Sequence, residues 1–68
     1  MNTNELKKVM LDHNDKNYDL AKFLNMSEST FSSKLHERGL SFRKSEIKAI
    51  ADRYELTGEQ IQQIFFAD

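Results

Sequence analysis

The sequence predicts an all-α fold, a compact bundle of five short helices, on three observations: apolar residues recur at helical spacing, good capping residues precede these runs, and only two glycines and no proline interrupt them. At 68 residues with 38% hydrophobic side chains, residues 1–68 are read as one domain whose core needs nearly every apolar residue. With no cysteine in the chain, neither a disulfide framework nor thiolate-bound zinc is available to staple so small a fold.

The first helix carries Leu6, Val9, Met10 and His13 at helical spacing, with Asn2 and Glu5 spaced as a capping box. His13 is expected half-buried on it. Asn14, Asp15 and Asn17 then compete for backbone hydrogen bonds, and Asn17 is expected to cap a short second helix bearing Leu20, Phe23 and Leu24. Asn25 tolerates the left-handed conformation that ends a helix, and Met26 packs beneath the turn. Ser27 caps the third helix, whose buried stripe is Phe31 and Leu35 and whose stop is Gly39. Leu40 and Phe42 read as core residues on a connection. Ile47, Ile50, Ala51 and Tyr54 make a fourth helix capped by Ser41 or Ser45; Thr57 and Gln60 box the start of a fifth, with Ile61, Ile64 and Phe65 inward.

Between Leu20 and Phe31 the side chains meet the requirements of two helices crossing steeply over a tight turn. Ala21 is small enough for the crossing, while Leu20, Leu24, Met26 and Phe31 fill the shared wedge. This stretch, from Asn17 to Leu35, reads as a helix-turn-helix. The run Leu20-Ala21, turn residue, Met26 and Ser27 resembles the helix-turn-helix regulators of the phage repressor and Cro type, and the resemblance extends over nearly the whole chain. There are two departures: Asn25 replaces the usual turn glycine, and Lys34 stands where an apolar residue often packs, its stem expected along apolar surface and its charge in water. The segment from Glu46-Ile47 to Ile64-Phe65-Phe66 also resembles short lysogeny regulators of temperate phages and prophages of Gram-positive bacteria, which implies a role in a lysis-lysogeny genetic switch.

At about 100° per residue, with Phe31 and Leu35 inward, the outward face of the third helix carries Ser29, Ser33 and His36, flanked by Ser32 and Glu37. The resemblance implies that this face and first turn enter the major groove, making Glu28, Ser29, Ser32 and Ser33 the base-reading positions. Serine discriminates poorly, and the face lacks the arginine, glutamine or asparagine that pair bidentately with purines. Glu28 either accepts from a cytosine amine or simply favours the positive end of its helix. Lys22, Lys34, Arg38, Arg43 and Lys44 are candidate phosphate contacts, and Asn17 adds a neutral one through its amide or the start of the second helix.

Charge is distributed unevenly along a chain whose net charge is −1: residues 32–48 hold five basic and two acidic side chains, residues 49–68 one and four. Two readings of function therefore stay open. In one, the protein binds double-stranded operator DNA through the third helix, as a homodimer on a two-fold site. In the other, it is a modulator or antirepressor that uses the same surface to dock onto a cognate phage repressor and block its DNA binding, which the acidic first turn and serine-rich face favour. An enzyme is not expected, because His13 and His36 lack a nucleophile or an orienting group, and the acidic residues beside His13 lack metal spacing. Neither a cofactor nor a metal is called for. Phe66, one position beyond the inward stripe, either edges the core or offers an oligomer or partner contact. Met1 to Glu5 lack the features of a signal peptide and no apolar run is long enough to span a bilayer, so a cytoplasmic protein is expected.

Overall fold

In a computed structural model, which describes residues 1–67, five helices follow one another: α1 (Thr3–Asp12), α2 (Asn17–Phe23), α3 (Glu28–Leu35), α4 (Lys44–Tyr54) and α5 (Gly58–Phe65). Three have the caps their sequences predict, although at α1 only half of the expected box forms, because the Asn2 amide donates to the Ile64 carbonyl and not to Glu5. Asn2 Oδ1 accepts the Glu5 N–H at 3.2 Å, Ser27 Oγ the Thr30 N–H at 3.1 Å, and Thr57 Oγ1 the Gln60 N–H at 3.1 Å, while Gln60 Oε1 accepts from Thr57 at 2.8 Å.

The other two starts correct the sequence reading. Asn17 is the first residue of α2, not its cap; the cap is Lys16, and neither Ser41 nor Ser45 caps α4, which begins after Arg43. Lysine and arginine side chains accept nothing, so a carboxylate one turn into each helix reaches back instead. Asp19 accepts the Lys16 N–H at 2.9 Å and Glu46 the Arg43 N–H at 2.8 Å.

Each of the first four helices ends at a residue with positive φ that is not glycine: Asn14 at 58°, Asn25 at 59°, Glu37 at 54° and Glu55 at 51°. The following N–H then reaches a carbonyl near the helix end: Asp15 to Met10 at 2.8 Å, Met26 to Ala21 at 3.0 Å, Arg38 to Ser33 at 2.8 Å and Leu56 to Ala51 at 2.9 Å. The α3 stop is therefore Glu37 and not Gly39, since the Arg38 amide has already closed the helix before the chain reaches the glycine.

Leu6, Met10, Leu20, Ala21, Phe31, Leu35, Ile50, Tyr54, Ile64 and Phe65 form one core. Phe31, fully buried, contributes about 2–3 kcal/mol by leaving water. Phe42 covers it from the α3–α4 connection, its ring 5.7 Å from that of Phe31 and 6.2 Å from that of Phe65. With Phe42 closing this side, Leu40 is left 47% exposed and is not a core residue. The beginning of the chain ties α3 to α5, because Thr3 Oγ1 donates to the Leu35 carbonyl at 2.8 Å while the Asn2 amide donates to that of Ile64.

A second tie joins the α1–α2 loop to α4. Arg53 donates to both oxygens of Asp15, at 2.9 and 3.0 Å, the Tyr54 hydroxyl donates to the same carboxylate at 2.7 Å, and the guanidinium lies over the Phe23 ring. His13 is exposed, not half-buried: it follows the last turn of α1, where its ring rests 4.8 Å from that of Tyr54 at the rim of the core.

Candidate nucleic-acid interface

α2 and α3 pack on each other around Ala21, which is 1% exposed, so no larger side chain fits at this crossing without moving a helix. Asn25 supplies the left-handed turn and Met26 packs partly buried against the core, both as the sequence predicts. Because Phe31 and Leu35 are wholly buried, the opposite side of α3 is directed to solvent. Glu28, Ser29 and His36 are exposed and Ser32 and Ser33 half-buried, His36 being the residue that closes the helix.

Cations stand on the elements and connections that flank α3. Lys22 of α2 lines a cleft with Tyr18, Asn25, Ser27 and Glu28; Arg38 follows the last turn of α3; Arg43 and Lys44 stand at the start of α4. All four are exposed, and none forms an ion pair among the described residues. Their charges are therefore available to an anion from solvent.

Lys34 is not among them. Its side chain is only 11% exposed, and Nζ contacts both Glu46 oxygens at 2.8 and 2.9 Å, so the expectation of a charge in water and a phosphate contact is overturned. A buried ammonium needs a partner, and Glu46 is within reach across the α3–α4 junction. Burial opposes ionisation of Glu46, but the Arg43 amide and the Lys34 ammonium outweigh it and hold its carboxyl below the ordinary range.

Asn17 is half-buried and lines a different groove with Lys7, Leu11 and Asp15, apart from the Lys22 cleft. Phe66 follows α5 and is 56% exposed, on a groove between α4 and α5 that Lys44 also lines. Tyr18 belongs to this site as well. It is 58% exposed on the same cleft wall as Lys22, four residues on, and its hydroxyl can donate to an anion; that spacing was the available signal. Among the described residues no cluster of histidine, aspartate or glutamate could hold a metal, and no helix is long and apolar enough to cross a membrane.

A short helix crossed on a small residue, a tight left-handed turn, and a following helix with its outer face open and bordered by free cations together define a helix-turn-helix DNA-binding domain. A family model described as the Cro/C1-type HTH DNA-binding domain matches residues 5–64, and the chain belongs to that family. It is a family of DNA-binding regulators and not of enzymes. No curated protein and no solved structure matched the chain.

Proposed function

We propose that residues 1–68 act as one regulatory domain that reads operator DNA with Glu28, Ser29, Ser32, Ser33 and His36 of α3 in the major groove. Lys22, Arg38, Arg43 and Lys44 hold the flanking phosphates. The observation that carries this reading is the set of four unpaired cations around an open α3 face. The setting of a phage-type lysis-lysogeny switch rests on the resemblance of Glu46 to Phe66 to short lysogeny regulators, and a cytoplasmic location goes with it.

One observation favours a second reading. Glu28 is exposed at the entry of α3 with no ion-pair partner among the described residues, where it repels an approaching phosphate but suits a basic protein surface. In that reading the same face docks on a cognate phage repressor. Titration into a labelled random-sequence duplex at two salt concentrations separates them. Retention at about 50 mM salt, weakening steeply by about 200 mM, supports DNA binding. Absence of retention at the lower salt sinks it, and a complex with the repressor alone then supports docking.

We also propose that two copies pair through the groove between α4 and α5, where Phe66 sits. Ile47, Ala51, Leu56 and Ile61 line it, and Lys48 and Asp52 at its edge are paired with each other at 3.6 Å. A two-fold axis through the groove would lay the two apolar floors and the two exposed Phe66 rings against each other, the isologous contact that closes a dimer. Sedimentation equilibrium checks this: the native chain is expected to dimerise and Phe66→Lys to be monomeric, while a native monomer at high concentration contradicts it.

A further inference from the structure

Lys34 sits one residue beyond Ser33, in the last turn of α3, and its ammonium spans to α4. The same Glu46 oxygen that takes Lys34 Nζ at 2.8 Å also accepts the backbone N–H of Arg43 at 2.8 Å. One carboxylate therefore holds both the end of the outward helix and the residue that opens α4. Between these points the chain runs through an irregular connection in which Arg38, Gly39, Leu40 and Ser41 are exposed and Phe42 alone is half-buried. The other tie at this junction is apolar: the Phe42 ring lies 5.7 Å from that of Phe31, and Ile50 of α4 shares the core with Phe31 and Leu35.

An ion pair with side chains 11% and 17% exposed is a poor choice for stability alone. Desolvating two charges costs as much as their attraction returns, and apolar side chains of similar volume hold helices together as well or better. What a buried ammonium adds is choice of partner: it must face a carboxylate, so it fixes which residues of the two helices meet, whereas an apolar contact tolerates sliding.

We propose that Lys34 and Glu46 are positioning residues for DNA binding, setting Arg43 and Lys44 at the spacing from the α3 face that places them on phosphates while that face lies in the groove. The inference rests on the reading of α3 as the DNA-contacting helix. It gives the positive charge of Lys34 a role that does not touch DNA.

The test is Lys34→Met/Glu46→Gln. The double variant keeps net charge at −1, and the glutamine retains an acceptor for the Arg43 amide, so the cap survives and only the link between helices is lost. Binding to a labelled random-sequence duplex is followed by anisotropy from about 50 to about 200 mM salt, with thermal unfolding measured alongside. The expected result is a thermal midpoint near that of the native chain with about ten-fold weaker binding at low salt. The slope of log affinity against log salt becomes shallower by about 1 to 2, as one or two phosphate contacts are lost. Lys34→Arg, which keeps the cation, restores the native slope.

Affinity and slope equal to the native chain's in the double variant overturn the proposal, because a purely structural pair moves neither once the fold is intact. Should the double variant fail to fold, Glu46→Asp decides the matter on the same two readings: it keeps net charge, it can accept the Arg43 amide as Asp19 accepts that of Lys16 in α2, and it draws the carboxylate back from Lys34. A native chain that does not bind the duplex at all is a separate failure, seen before any variant is made, and it removes the DNA reading together with this inference.

Discussion

Arg53 and Asp15 meet in a two-bond pair at 2.9 and 3.0 Å that fastens the loop after α1 to the last turn of α4, behind the helix-turn-helix. The Arg53 guanidinium holds the Asp15 carboxyl below its ordinary value, against the opposing effect of burial and with help from the Tyr54 hydroxyl. Asp15→Asn is expected to cost about 1–2 kcal/mol, because a charge-assisted pair and a phenol bond are weakened together. Urea unfolding at neutral pH measures it, and a loss below a few tenths of a kcal/mol contradicts the assignment.

The same groups determine how stability varies with pH. Asp15 and Glu46 have folded values below their unfolded ones, so their contribution is present above about pH 4 and is lost as acid protonates them through the lowered values. Burial and the neighbouring Asp15 push the Tyr54 phenol up, so its contribution is present below about pH 10 and lost as pH rises past that point. Thermal midpoints are expected to lie on a plateau between these limits. In Asp15→Asn the acid-side fall should be smaller than in the native chain.

Glu55→Gly is expected to raise stability by about 1 kcal/mol. Glu55 has φ of 51°, a conformation that costs a residue with a Cβ about that much, and it places a carboxylate at the negative end of α4. Asn25→Gly should gain less, since asparagine already tolerates the turn. Equal gains at the two positions, read from denaturant midpoints, count against this explanation.

Ala21→Leu is expected to destabilise by about 1–3 kcal/mol or more, through overpacking at the α2–α3 crossing. If near-ultraviolet dichroism and the thermal midpoint stay native, the crossing is looser than its 1% exposure implies.

Much of this fold was legible from local chemistry. Ser27, Thr57 and Asn25 each have side chains suited to one backbone role, and they fill those roles. The starts of α2 and α4 were harder to read, because the capping acceptor there comes from Asp19 and Glu46, inside the helix and not before it. The α3 stop at Glu37 is not legible locally, because glutamate carries no preference for positive φ; the closing Arg38 bond explains it. At the candidate site, the open side of α3 followed from the burial of Phe31 and Leu35, which their spacing shows. The fate of Lys34 did not, since its partner lies twelve residues away and the pairing depends on how α4 returns against α3.

Lys22→Ala, Arg38→Ala and Lys44→Ala are each expected to weaken binding to a random-sequence duplex and to flatten its salt dependence by about 1, with little change in sequence preference. A Lys7→Ala change, at the groove away from the cleft, serves as the comparison. Equal effects at all four positions mean that general charge, and not the border of α3, governs binding.

If the first turn of α3 reads bases, changing Glu28 changes the bases selected. The native chain and Glu28→Gln are each used to select bound sequences from a random duplex pool. A two-fold site is expected for the native chain, and for the variant a changed base at one position in each half-site, where glutamine prefers adenine to the cytosine suited to glutamate. An identical selected site for both proteins, or no site selected by either, contradicts it.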